Sequence, residues 1–386
     1  MTRSLYGSRP NPYYILAPDF RRNSAGIRVL HMLCDALIQS GQEAYVTAGS
    51  FSPTLMTPPL TSNILDYHKA HGIEPIMVYP EVVDGNPYEA EVVVRFLLNT
   101  PGMVGGKGRY DDRDILYAFA RGLLQPGMPE ENVMFLQPVD LSVFVPPADP
   151  AKRIPGTVCF YQGRSGSGID TSRLPPGAVR ITTGYPTSWE GLVEIFQTCE
   201  FFYSASTSAL SAEAALCGCV GVVIPGEDSP LNFSAEETGC HGVAWGDSGP
   251  ELDRARRTLP LLRASLENQA REFWPALDHF IRVTQEAAFQ FGQRKLAGAV
   301  ATRLLNRLPS AAQAALIEHR LQSSSAPRIA VVIVENEFDG TGQRLQATLD
   351  SLAPHTAGSL KIEPLIVSPR VVPHASIPVA QYHQGH

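Results

Sequence analysis

Apolar and polar positions in this chain come in blocks rather than in strict alternation. Tyr13-Tyr14-Ile15-Leu16-Ala17 is a short continuous apolar run. After a polar loop, Ile27, Leu30, Leu33, Cys34, Leu37 and Ile38 recur at helical spacing across residues 25–40. Gly41 follows as a C-cap would, and Glu43-Ala44-Tyr45-Val46-Thr47 supplies the next strand, so the chain opens with a βαβ unit. Ile76-Met77-Val78-Tyr79 and Glu91-Val92-Val93-Val94-Arg95-Phe96-Leu97-Leu98 read as further parallel strands, because a strand covered on both faces loses its alternation. The first lobe is therefore expected to be Rossmann-like.

Residues 138–150 are rich in proline and read as an interdomain linker. A second series follows. Thr157-Val158-Cys159-Phe160-Tyr161 and Val179-Arg180-Ile181-Thr182 are strands, and residues 188–198 form a helix with Leu192, Ile195 and Phe196 inward. Residues 201–225 give a strand, a hydroxyl-rich turn, a short helix carrying one acid, a Gly/Cys break and another strand. From residue 254 to 322 the pattern is helical, broken at Pro260, Pro275 and Pro309, and is expected to close the second lobe and pack back across the first. After Ser323-Ser324-Ser325-Ala326-Pro327, Arg328-Ile329-Ala330-Val331-Val332-Ile333-Val334 opens a third βα pattern, with Leu345, Leu349 and Leu352 on one helical face. About sixty residues are too few to bury a doubly wound core of their own. The expected architecture is α/β: two Rossmann-like lobes facing each other across a cleft, residues 1–145 and 146–322, then a linker and partial domain in 323–386.

Length agrees with this division, since 386 residues at roughly 100–200 per domain make two or three domains. The charge narrows the partners. With 31 basic against 38 acidic residues and a net charge of −7, the chain lacks the footprint of a nucleic-acid binder and suits a small molecule or glycan. Six cysteines without paired C-x-x-C spacing read as reduced core thiols of a cytoplasmic protein. No apolar h-region opens the chain and no run of 18 apolar residues occurs, so neither secretion nor membrane spanning is expected. The amphipathic stretch 296–308, with Arg303 and Arg307, is assigned to crossing the first lobe; peripheral contact with the inner face of a membrane is its alternative.

Candidate chemistry concentrates in loops that follow strands. The helix opened by Ser206, Thr207 and Ser208 offers unpaired backbone N–H groups and a positive dipole end to an anion. Glu213, about one and a half turns further on, is placed to accept hydrogen bonds from a sugar. Phosphate at one end and ribose at the other suggest a nucleotide. The loop 18–26 lies between first strand and first helix, where Ser24 is expected to cap the helix and Gly26 to let a ligand approach the backbone. It lacks the G-x-G-x-x-G spacing of a dinucleotide fold, and a basic surface loop with a helix cap is the plainer reading. Gly163-Arg164-Ser165-Gly166-Ser167-Gly168 stands at the equivalent place in the second lobe; Arg164 offers a bidentate guanidinium to a diphosphate, unless the loop is merely flexible. Asp111-Asp112-Arg113-Asp114 superficially matches a metal-binding D-x-D but is better placed to favour the N-terminus of a helix over residues 115–119. No zinc spacing and no nucleophile elbow are present, and His31 is expected to be a packing residue.

These pieces together resemble the nucleotide-sugar glycosyltransferases of the GT-B fold, especially retaining enzymes of bacterial polysaccharide synthesis. The likeness spans roughly residues 12–300. Ser211-Ala212-Glu213-Ala214-Ala215-Leu216-Cys217-Gly218-Cys219 is similar to the family's E-A-x-A-x-G-x-P turn, whose Glu binds the donor ribose. Asn23-Ser24-Ala25-Gly26, residues 98–106 and residues 138–146, similar to the V-D-x-x-x-F-x-P interlobe segment, support it. The resemblance implies a metal-independent hexosyl or glycosyl transfer without a resident cofactor, from a nucleotide-diphosphate sugar to a glycan or lipid-linked acceptor. It implies donor contacts from Glu213, Gly163, Arg164, Ser206, Thr207, Ser208, Ser24 and Gly26, Tyr185 and Pro186 beside the base, and Asn99, Gly105 and Gly106 on the acceptor side. No catalytic residue is assigned. The chain departs from the pattern at Ala205, where a second Glu is common, in lacking the turn's Pro, and in having no lysine close after Arg164. A catalytically silent GT-B scaffold or glycan-binding module beside another transferase is the alternative, and a nucleotide-sugar 2-epimerase the third reading. The tail from Arg328 resembles the opening of GT-A transferases but carries no D-x-D.

Overall fold

The computed structural model describes residues 10–163, 168–206, 208–224, 232–305, 328–334, 343–352, 361–367 and 380–382. The chain divides into two compact units, Met1–Leu296 and Ala297–His386. In the first, β1 (Tyr13–Ile15), β2 (Ala44–Val46), β3 (Ile76–Pro80), β4 (Val92–Leu97) and β5 (Ile115–Ala118) form a parallel sheet in the order β2-β1-β3-β4-β5. Successive residues of these strands belong to different cores, as the two-residue period of a strand requires. Tyr13, Ile15, Ile76, Val78, Val92, Val94 and Phe96 pack with Val29, Leu30, Leu33 and Leu37 of helix α1 (Ala25–Gln39). Tyr14, Met77, Tyr79 and Val93 pack on the other face, where Leu65 of α2 (Ser62–Ala70) joins them.

The same unit holds a second parallel sheet, made of β6 (Ile154–Tyr161), β7 (Val179–Arg180), β8 (Cys199–Ser204), β9 (Val220–Val223) and β10 (Val243–Trp245). Its order is β10-β9-β8-β6-β7, so each sheet runs second, first, third, fourth, fifth by order of appearance. The two Rossmann-like lobes are present. The helices α3 (Trp189–Thr198), α4 (Ala209–Leu216), α5 (Ala235–Thr238) and α6 (Gly249–Thr258) lie between and after these strands. Val139 and Phe144, from the proline-rich stretch, are buried in the second lobe's core, so this part of the connection is packed.

Helix α7 (Leu262–Leu305) ties the lobes together. Leu262 and Leu266 lie in the second core, whereas Phe273, Leu277, Phe280 and Ala288 lie in the first. Arg263 donates to the carbonyls of Leu141 and Phe144, and Thr284 Oγ1 lies 2.8 Å from Tyr13 Oη. The helix was expected to break at Pro275 but continues through it. Proline in a helix interior costs about 3 kcal/mol, and burial on both sides of it offsets that loss. Pro260 does fall in a short 3-10 turn between α6 and α7, and Pro309 lies outside the described residues.

A second correction concerns residues 115–119, expected to be helical. They form β5, whose Val94-to-Ile115 register adds an edge strand to the first sheet. A five-residue apolar run fits either element, and pairing with β4 decides it. Asp114 consequently caps no helix: it accepts from the Nε of buried Arg95 at 2.7 Å, while Asp111 pairs with Arg113 on the surface. In the second unit β11 (Arg328–Val334), β12 (Lys361–Val367) and β13 (Ala380–Tyr382) form a parallel sheet in the order β11-β12-β13, with α8 (Gln343–Leu352) between its first two strands. Leu349 of α8 is buried, as its helical spacing suggested.

Candidate functional site

In a sheet wound in this order, chain leaves the first and third strands toward opposite faces, and a crevice opens outside their carboxyl ends. The two crevices lie between β1 and β3 and between β6 and β8. The loop after β1 carries Asn23 and Ser24 and runs into Gly26; the loop after β6 carries Gly163 and Gly168; the turn after β8 carries Ala205, Ser206 and Ser208. These ends meet. Asn23 Nδ2 donates to the carbonyl of Thr183 at 2.7 Å, and the Arg22 and Arg28 guanidiniums lie 5.3 and 6.0 Å from the ring centroid of Trp189. Arg28 of α1 donates through both terminal nitrogens to Glu213 Oε1 of α4, at 2.9 and 3.0 Å.

The local sequence explains how α4 presents this acid. Ser204 Oγ donates to the carbonyl of Ser206 at 2.7 Å, which fixes the turn leaving β8. Ser208 is the N-cap, and its Oγ accepts from the Leu210 N–H at 3.2 Å. At the other end Gly218, at φ +83°, turns the chain while Arg153 donates to the Cys217 carbonyl at 2.6 Å. A cation therefore closes the negative end of α4, and its positive end faces the crevice. Ser211, Ala214, Ala215 and Leu216 are buried around Glu213, which is itself only 2% exposed. Burial pushes the Glu213 carboxyl above its usual range, and Arg28 opposes that shift.

The remaining candidates fall into distinct groups. Ser24 starts α1 without a side-chain capping bond, contrary to expectation; its carbonyl instead accepts from the Arg28 N–H at 3.0 Å. Its extended backbone is that of an N-cap, but the hydroxyl makes no bond to the helix start. A Cβ on Gly26 would lie 3.5 Å from Leu98 Cδ1, an ordinary contact, so the first-lobe loop borders the Leu98-Asn99 turn. Asn99 Oδ1 accepts from the Thr100 N–H at 2.8 Å, and Gly106, at φ +70°, approaches the Val82 backbone so closely that a Cβ would meet Val82 O at 2.8 Å. Gly105 precedes it at φ +154° in the same turn. Tyr185 is 53% exposed beyond β7, and its carbonyl accepts from the Thr182 N–H at 2.8 Å; Pro186 follows it toward α3. Arg164 and Thr207 lie outside the described residues.

Close packing marks the β6 loop. A Cβ on Gly168 would lie 2.3 Å from Ala205 Cβ, and one on Gly163, at φ +76°, would lie 3.6 Å from the same atom. Ala205 is buried with Phe160 and Ile169. Gly168 therefore packs directly against Ala205, and position 168 has no room for a side chain while Ala205 stands there. His31 is a packing residue, as expected: it is buried, its Nε2 lies 3.0 Å from the Pro18 carbonyl, and Phe20 meets its ring edge-on. Burial lowers its pKa.

The residue that sequence reasoning missed is Arg28. Its only signal was a cation interrupting the apolar face of α1 between Ile27 and Leu30. Outside the cleft the lobes touch again, where Glu237 Oε1 accepts from the Arg121 N–H at 2.8 Å and the Gly122 N–H donates to the Phe233 carbonyl at 3.1 Å. Among the described residues no three His, Cys, Asp or Glu side chains converge as a metal site, and no helix is long and apolar enough to cross a membrane.

No family model matches the chain, and no curated protein matches it. Among solved structures it is similar to an alpha-glucosyltransferase in complex with UDP, at 12% identity over 73% of this chain and 98% of that one, TM-score 0.37. It is also similar to WaaG, a glycosyltransferase involved in lipopolysaccharide biosynthesis, at 10% identity over 71% and 99%, TM-score 0.36. A third is the spinosyn rhamnosyltransferase SpnG complexed with thymidine diphosphate, at 13% identity over 73% and 100%, TM-score 0.32. Scores of this size do not establish a shared fold, and the architecture rests on the strand order and register above.

Proposed function

We propose that this chain is a GT-B glycosyltransferase that moves a sugar from a nucleotide-diphosphate donor to a glycan or lipid-linked acceptor in surface polysaccharide synthesis. The observation that carries the reading is Glu213, an acid in the middle of a helix whose open end faces the meeting of two switch-point crevices. In this reading Glu213 holds the ribose hydroxyls and Tyr185 and Pro186 flank the base. The start of α4, with Ser206, Ser208 and the undescribed Thr207 and Arg164, stabilises charge developing on the departing diphosphate. Ser24 and Gly26 meet that diphosphate from the first lobe, and Asn99, Gly105 and Gly106 border the acceptor. Retention at the anomeric carbon and independence of metal follow from the GT-B resemblance.

A second reading, a silent scaffold or glycan-binding module, is favoured by the packed Ala205 and by the Arg28 bond to Glu213. Calorimetric titration with UDP, GDP, ADP and dTDP tests the first reading. Wild type is expected to bind at least one of them, and Glu213→Ala to bind it about 10–100-fold more weakly, the worth of hydrogen bonds to a charged acceptor. Absence of binding by wild type rejects the transferase reading. Release of free nucleotide from the matching sugar nucleotide then separates a transferase from a scaffold.

A further inference from the structure

Arg28 belongs to none of the motifs that point to the site, yet it is the first-lobe side chain bonded to the donor-site acid. It stands in the first turn of α1, and its side chain is 7% exposed against 3% for Glu213. Both terminal nitrogens converge on one oxygen, Oε1, instead of spanning the two carboxylate oxygens in the parallel fork that guanidinium and carboxylate geometry favours. The Nε–H is buried and has no hydrogen-bond partner among the described residues. A guanidinium carries five donors, and an incompletely satisfied buried ion pair recovers little of its desolvation cost. Trp189 lies beside this group with Arg22 on the same ring, so two first-lobe cations stand where the lobes meet.

A diphosphate is the ligand chemistry that answers these features: several anionic oxygens, spaced for a bidentate fork, able to occupy the donors that one carboxylate oxygen leaves idle. We infer that Arg28 is a diphosphate-binding residue of the donor site, parked on Glu213 until a nucleotide enters. Ribose hydroxyls then replace the guanidinium on Glu213, and Arg28 turns to the diphosphate oxygens. The inference rests on the transferase reading. It also supplies a second cation from the first lobe, where the second lobe has no lysine close after Arg164.

The test compares, by calorimetry, the nucleoside diphosphate that wild type binds with its parent nucleoside, and reads the ratio of the two affinities. Arg28→Gln is expected to lower that ratio at least about tenfold, the worth of a charged hydrogen bond. Its nucleoside affinity should equal or exceed that of wild type, because Glu213 is no longer occupied. Arg28→Lys keeps the cation that the fold relies on and loses the fork; its ratio should fall at least about threefold. An unchanged ratio in either folded variant overturns the inference and leaves the transferase reading standing. Failure of wild type to bind any nucleotide removes both.

Discussion

The two lobes are wound alike but bring opposite things to their common edge. The first contributes cations, Arg22 and Arg28, from a helix start whose serine hydroxyl makes no cap. The second contributes hydroxyls and a buried acid from a helix that Ser208 caps and Arg153 closes. Packing differs as well: a Cβ on Gly26 would make an ordinary contact, whereas one on Gly168 would overlap Ala205. Strand order therefore fixes where a ligand can sit, and the loops decide its charge and shape. At that edge the Arg28 guanidinium of the first lobe meets the Glu213 carboxylate of the second. The candidate site draws on both lobes.

The largest effect should come from filling the crowded side. Gly168→Ala places a methyl 2.3 Å from Ala205 Cβ, so one segment must move. We expect a loss of about 2–3 kcal/mol in urea unfolding, the usual cost of overpacking. Combining it with Ala205→Gly should restore most of that loss. If the double variant is no more stable than the single, the Gly168–Ala205 contact is not what excludes a side chain at 168.

How much of this was legible beforehand follows from the residues. The continuous apolar runs of β1, β3 and β4, the periodicity of α1 and the whole β8-α4-β9 passage could be read, because strands covered on both faces and amphipathic helices leave period and length as signals. The helix α2, with only His68 buried, and the short apolar run of β5 carry neither signal clearly. Ser24 was misjudged because residue type specifies a capable cap, while the local backbone and neighbours decide whether the hydroxyl is used. Glu213 was legible as a candidate from its place in the turn, but its partner was not. The Arg28–Glu213 bond joins residues 185 apart, and only the docking of the two lobes brings them together.

A second acid at the lobe boundary sharpens the comparison. Glu237 is buried like Glu213, but it accepts from a backbone amide rather than a guanidinium, and its Oε2 has no partner among the described residues. Burial raises its pKa from the usual 4.5. For an acid raised in this way the folded state carries no penalty below the unfolded value. The penalty then grows as pH rises through the higher folded value. Glu237→Gln removes the charge and keeps an acceptor for the Arg121 N–H, so it should match wild type near pH 4 and be about 0.5–1 kcal/mol more stable at pH 7. Denaturant midpoints across this pH range check the sign, and a Glu237→Gln gain that shrinks toward neutrality contradicts the buried-charge account.

The smallest effect on stability should come from the roomy side, where it separates folding from binding. Gly26 is the second residue of α1, and a methyl there meets only Leu98 Cδ1 at 3.5 Å. Gly26→Ala should stabilise the protein by about 0.5 kcal/mol, because alanine loses less backbone entropy on entering a helix. If a donor diphosphate approaches this backbone, the same methyl stands in its way and nucleotide affinity should fall by about tenfold, the cost of one crowded contact. Stability rising while affinity falls is a combination that a purely structural glycine cannot give. Unchanged affinity would take Gly26 out of the site and leave Arg28 as the first lobe's contribution to it.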